Sequence, residues 1–137
     1  MRRREWLEQK RLARELNRWL DPSCSFWTAT DPVAASALSG AIRKLRGVKP
    51  GLPDTLVWCR YTRPIGIEMK SAGGRCSRSQ RTVREALLRA GVEWWECRSA
   101  HAAMWALAKS GVRFRKIIRE DGTAAAAPAC ALGGAAP

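Results

Sequence analysis

The chain is poor in acid. It has 12 Asp and Glu against 25 Lys and Arg, a formal net charge of +13 and an isoelectric point near 10.8. That imbalance favours a polyanionic partner, through long-range attraction and counterion release. Arginine predominates over lysine, and its planar fork matches phosphate oxygens. Long apolar runs are missing: nothing approaches the roughly 18 residues that a membrane span needs. The opening MRRREWLEQKRLARELNRWL is charged throughout and has no apolar signal-peptide core. A soluble, unexported, cytoplasmic protein is expected, associated with the nucleoid if bacterial. An anionic membrane surface suits it less than nucleic acid, because no long basic amphipathic stretch has a clean apolar face. The cysteines Cys24, Cys59, Cys76, Cys97 and Cys130 are odd in number and have no close pair. Neither a disulfide framework nor a CxxC zinc knuckle is suggested, and free thiols are expected. Histidine occurs once, at His101, just after a helix-capping serine, where a structural place is expected.

What is present suffices for one domain. The length of 137 residues and 46% hydrophobic content support a single core, and most of the seven Trp are expected in it or at its edge. Leu12, Leu16, Trp19 and Leu20 recur at helical spacing within residues 4–20, and Asp21-Pro22 stops that helix. Residues 25–30 are rich in β-formers and read as a strand. Residues 33–46 read as a short helix with a break at Gly40, and GVKPGLP as a loop. Thr55–Cys59 and Ile65–Lys70 read as two strands joined by a hairpin connection, Arg60 to Pro64. Ser77 can cap a helix running to about Ala90, followed by a strand from Val92 to Cys97. Ser99 can cap the next helix, which ends near Gly111 with Met104, Leu107 and Ala108 inward. Phe114, Ile117 and Ile118 read as a last short element. No repeat is evident. This order describes an α/β domain over residues 1–120, a central mixed β-sheet flanked by helices in αβββαβ order. An Ala/Gly/Pro-rich tail follows over 121–137, expected to be disordered.

Side chains on a strand alternate faces, so Glu68 and Lys70 project together while Ile67 and Met69 point to the other side. An E-x-K pair alone is most often a salt bridge. Here Asp54 lies at the mouth of the preceding strand, in Gly51-Leu52-Pro53-Asp54, and a hairpin brings it towards Glu68. Two carboxylates at one sheet edge repel unless a cation lies between them, and such oxygen ligands suit Mg²⁺ or Mn²⁺. Gln80 shares a helical stripe with Val83, Arg84 and Leu87, so it faces inward and needs a polar partner.

GLPD, then IEMK, then GGRCSRSQ opening a helix together resemble the PD-(D/E)xK nuclease superfamily. Within it the chain looks most like the VRR-NUC (virus-type replication-repair nuclease) domain, over roughly residues 4–112. Gly51, Pro53, Asp54, Glu68, Lys70, Ser77 and Gln80 match that pattern. The resemblance implies a restriction-endonuclease-like fold and hydrolysis of phosphodiesters to a 5′-phosphate and a 3′-hydroxyl. Asp54 and Glu68 would hold the metal, with the Met69 backbone carbonyl a further ligand, while Lys70 positions the water and Gln80 orients Lys70 or the water. The family also carries an acid on its first helix; of Glu5, Glu8 and Glu15, Glu8 is preferred because it precedes the Leu12/Leu16 stripe near the helix start. Arg75, Arg78, Arg81 and Arg84 crowd the loop and helix beside this site and are expected to grip phosphates, with Arg2, Arg3 and Arg4 a further basic arm. No base-reading signature is visible, so recognition of DNA shape is expected. A homodimer acting on branched or junction DNA follows from the resemblance. The alternative is a basic, non-catalytic DNA-binding protein that retains the nuclease fold.

Overall fold

The computed structural model describes residues 3–30, 37–120 and 126–128. Its elements are α1 (Arg3–Trp19), β1 (Ser25–Ala29), α2 (Ala37–Leu45), β2 (Thr55–Cys59), β3 (Ile65–Met69), α3 (Arg78–Arg89), β4 (Glu93–Cys97), α4 (Ala100–Lys109) and β5 (Ala126–Pro128). The strands form one sheet in the order β1-β2-β3-β4-β5. β3 and β4 run parallel and the other neighbours antiparallel. This is the mixed sheet with flanking helices, of restriction-endonuclease-like α/β type, expected from the sequence.

Alternation along the strands sorts the sheet into two chemically distinct faces. Val57, Ile65, Ile67, Met69, Trp95 and Cys97 are all buried on one face, under α1 and α4. Leu12 and Leu16 of α1 are buried there as well, each contributing about 1.5–3 kcal/mol by leaving water. α4 presents Ala100, Ala102, Ala103 and Ala106 to the core, small residues that let its backbone lie close, with Met104 and Leu107 filling the remaining space. Ser99 caps α4 by accepting the Ala102 amide at 3.0 Å.

The other face carries Gly66, Glu68, Trp94 and Glu96, register partners across the parallel β3–β4 pair. α3 lies over this half of the sheet and has no fully buried residue. Its fixings are polar. Ser77 and Gln80 form a reciprocal capping box at its start.

Two expectations are revised. α2 continues through Gly40 without a break. Residues 33–36 of the expected helix lie outside the described residues, as do Arg2 and Cys130. Phe114, Ile117 and Ile118 build no regular element. Phe114 makes an isolated bridge to Leu20, packing partly buried on the core with Ile118, while Ile117 is exposed. Of the Ala/Gly/Pro-rich tail, only residues 126–128 are described, and they pair with β4. Cys24, Cys59, Cys76 and Cys97 are free thiols. No helix among the described residues is long and apolar enough to cross a membrane.

Candidate active site

The site begins where the β2–β3 ladder ends. Thr55 pairs with Ile67, so continuing the register would set Met69 opposite Pro53. The Asp54 side chain takes up the amide left there: Met69 N–H donates to its Oδ2 at 2.8 Å. The Pro53-Asp54 turn is pinned from behind. Thr30 donates its hydroxyl to the Pro53 carbonyl (2.5 Å) and its amide to the Asp54 carbonyl (2.9 Å), which also accepts from Gln9 Nε2 at 3.3 Å.

The two glycines near this turn explain its sequence. A Cβ on Gly66 would stand 2.8 Å from Pro53 Cγ, so the bare backbone of β3 is the floor on which Pro53 rests. A Cβ on Gly51, whose φ is +94°, would stand 2.4 Å from the Ser79 carbonyl oxygen and 2.8 Å from the Gln80 nitrogen. The loop before Asp54 thus seats directly on the first turn of α3. Gly51→Ala is expected to cost about 1–3 kcal/mol, from backbone strain and the clash with α3 together. Because the clash pushes on Gln80, cleavage should fall by more than the loss of folded protein explains. Comparing specific activity with the fraction folded by circular dichroism checks this.

Glu68, Lys70 and Gln80 form a closed triangle. Lys70 Nζ lies 2.9 Å from Glu68 Oε1 and donates to Gln80 Oε1 at 2.9 Å, while Gln80 Nε2 donates to Glu68 Oε1. The Ser77 amide also donates to Gln80 Oε1 at 3.0 Å. The cap of α3 and the site therefore share one amide, whose orientation these partners fix. The asymmetry within Glu68 is informative. Its Oε1 is fully engaged, whereas its Oε2 is buried with no hydrogen-bond partner.

Electrostatics follow from this geometry. Burial, then the nearby Asp54 charge, push the Glu68 carboxyl up to about 7, against the opposing pull of Lys70 and Gln80. Burial likewise raises Asp54, despite the Met69 amide and Lys70. For Lys70, burial works against its charge, and the Glu68 carboxylate outweighs it, so its ammonium is held above the ordinary lysine value. Among the described residues no three His, Cys, Asp or Glu side chains form a ready-made cation cage. Two carboxylates and one orphaned oxygen nonetheless fit Mg²⁺ or Mn²⁺, which keep several waters and are commonly held by one or two carboxylates plus phosphate oxygens.

The first-helix acid is corrected. Glu8 accepts the Ala100 amide at 2.9 Å and pairs with Arg11, so it serves the start of α4. Glu5 accepts the Ser71 amide at 2.8 Å, just past Lys70, and its charge acts on both Asp54 and Lys70. The signal was present in the helix period. At about 100° per residue Glu5 falls on the bisector of Leu12 and Leu16, and Glu8 about 60° away from it.

The arginines divide. Arg75, Arg78 and Arg81 are exposed. Arg84, expected to grip phosphate with them, pairs with Glu96 at 3.0 Å, and Cys76 Sγ donates to the same carboxylate oxygen at 2.8 Å. Burial and the Glu96 carboxylate push this thiol up to about 11, so it stays protonated as the donor. Arg84 therefore ties α3 to β4. His101 meets the Arg119 carbonyl at 2.7 Å and takes no part in the triangle, in keeping with a structural place.

A cleft of about 520 Å³ opens beside Asp54 and Gln80, with Arg43, Lys44 and Lys49 on its other wall. These cations lie in a segment where spacing carries no hint of the site, and only the tertiary fold brings them there.

Neither the comparison with curated proteins nor that with solved structures gives a match. A family model, the VRR-NUC domain, matches residues 2–101. The matched span includes α1, the Pro53-Asp54 turn and the three triangle residues, Glu68, Lys70 and Gln80. Order, spacing and geometry thus agree, and the chain belongs to the VRR-NUC nuclease family.

Proposed function

We propose that this protein is a divalent-cation-dependent DNA nuclease, an endonuclease selective for branched or junction structures. The observation that carries this reading is the Glu68 carboxylate, buried with one oxygen orphaned beside a second carboxylate, Asp54. An unsatisfied buried acceptor costs about 1–3 kcal/mol, more when charged, and a bound cation removes that cost. Asp54 and Glu68 would hold Mg²⁺ or Mn²⁺, with the Met69 carbonyl as a further oxygen. When bound, the ion supplies a lowered pKa for the attacking water and offsets charge on the phosphate. Lys70 stays protonated at neutral pH, so its part is that of a donor. It orients the water and stabilises the oxyanion that develops in the transition state. Gln80 holds the ammonium in place through Oε1, which ties its aim to the capped end of α3.

Arg75, Arg78 and Arg81 extend from the same end of α3 and are assigned to substrate phosphates. Replacing all three by alanine should weaken binding to every DNA sequence alike and reduce the salt slope by about one unit for each phosphate no longer gripped. Titration at several salt concentrations measures this, and an unchanged slope shows that these arginines hold no phosphate. The reading as a whole is tested by incubating linear, flapped and four-way DNA with Mg²⁺ or Mn²⁺, with and without EDTA. Cleavage that EDTA stops is expected, strongest on the branched forms. Binding without cleavage in either metal would identify instead a non-catalytic DNA-binding protein with a nuclease-like fold.

A further inference from the structure

We infer that the sheet face bearing Glu68 continues into a stacking surface for unpaired bases, formed by Phe26 and Trp58; the inference rests on the nuclease reading for its substrate. Strand register places these residues. Glu68 shares its face with Gly66, which pairs with Leu56, so Leu56 and Trp58 lie on that face of β2. Phe26 pairs with Trp58, and Thr28 with Leu56, which extends the face across β1. α3 lies over the β3–β4 half of this face. On the β1–β2 half Phe26 is 65% and Trp58 40% exposed, with ring centroids 6.0 Å apart. The reverse face of the same strands buries Val57 and Cys59 in the core. Two large aromatic rings side by side in water call for an occupant.

The chemistry around them selects it. β1 and β2 contain no acid. The ladder runs on past Trp58, where the Arg60 amide donates to the Cys24 carbonyl at 2.8 Å, so the exposed Arg60 follows Trp58 on the same face. Flat π surfaces without acid and with an arginine beside them suit single-stranded nucleic acid, whose bases stack on aromatic side chains whatever their sequence. A protein partner fits less well. A standard interface buries about 800 Å² on each side, far beyond two partly covered rings beside an exposed threonine. Along β2, Trp58 stands roughly 13 Å from Asp54 at about 3.3 Å per residue, a span that an extended strand covers in a few nucleotides. Bases in an intact duplex are stacked on one another and cannot use the rings. The substrate class is therefore DNA with unpaired nucleotides beside the scissile phosphate, such as a flap, a splayed arm or a single strand.

The test measures binding in EDTA, by fluorescence anisotropy, to labelled oligothymidylate and to a blunt duplex of equal length. The double variant Phe26→Ala/Trp58→Ala should lose at least about tenfold in oligothymidylate affinity, with duplex affinity unchanged. Trp58→Tyr should bind nearly as the wild type and Trp58→Leu should not, which separates the aromatic plane from mere apolar bulk and serves if the double variant folds poorly. No loss, or an equal loss on both DNAs, overturns the proposal. So does sedimentation showing that the substitutions turn a dimer into monomers, because the face would then join two copies of this chain. Binding in EDTA does not depend on cleavage. Selective loss in a protein that cuts no DNA would overturn the nuclease reading alone, and normal cutting with unaltered oligothymidylate affinity would overturn the stacking surface alone.

Discussion

Glu68→Ala is expected to cut DNA at most about one-thousandth as fast as the wild type, a loss of roughly 4 kcal/mol of transition-state stabilisation. The substitution removes three things together: the orphaned oxygen assigned to the cation, the partner of Lys70, and the acceptor for Gln80 Nε2. Asp54→Ala should be equally inactive, yet the two variants should differ in stability. Removing Glu68 deletes a buried charge that lacks full compensation. Removing Asp54 strands the Met69 amide, which then has no acceptor, at a cost of about 1–3 kcal/mol. Single-turnover cleavage in saturating Mg²⁺, beside urea denaturation in EDTA, reads both effects. Full activity in either variant would sink the assigned site, since no other described carboxylate pair occupies the Lys70–Gln80 end of the sheet.

The second large effect is on stability. Glu68 ionises near 4.5 when the chain is unfolded and at about 7 in the folded protein without metal. Below pH 4.5 it is protonated in both states and costs nothing. Between pH 4.5 and about 7 the folded state holds a proton that the unfolded state has lost, so stability falls as pH rises. The total is on the order of 3 kcal/mol by pH 7, at about 1.36 kcal/mol per unit. The upward shift of Asp54 acts with the same sign. Lys70, raised by its carboxylate partner, also contributes a loss of stability as pH rises, but only at alkaline pH, outside this window. Urea denaturation in EDTA across this range should therefore show declining stability, in contrast to an ordinary salt-bridged carboxylate, which gains stability as pH rises. Glu68→Gln should flatten the decline to what Asp54 leaves. Mg²⁺ at about a hundredfold above its dissociation constant should restore roughly 2.7 kcal/mol above pH 7. A wild-type slope retained in Glu68→Gln would assign the titration to another group.

Much of this molecule was legible because it rests on short-range periodicity. The alternation of Ile65, Ile67 and Met69 with Gly66 and Glu68 sorts core from site within the sequence itself, and Ser77 and Ser99 mark the starts of α3 and α4. What was not legible depends on partners distant in the chain. Arg84 lies on the same stripe as Gln80, and its commitment to Glu96 arises only because β4 returns parallel beside β3. Glu8 and Glu5 are both half-buried acids on one helix. Preferring Glu8 weighed its place before the leucines, whereas angular position about the helix axis separates Glu5, beside Ser71, from Glu8, at the start of α4. The cations of the cleft wall escaped for a similar reason, as Arg43, Lys44 and Lys49 carry no periodic relation to Asp54.

β3 writes the core and the site into a single five-residue strand, Ile65–Met69, on alternate positions. An insertion or deletion of one residue there would exchange the two sets outright, sending Glu68 under α1 and α4 and turning Ile67 and Met69 towards α3. Such a change has no mild form, because losing the chemistry and losing the hydrophobic core become the same event. Point substitution is thus the only gradual route by which this strand can vary. Changes in length are confined to its flanks, the Arg60–Pro64 connection before it and the glycine-containing loop after it.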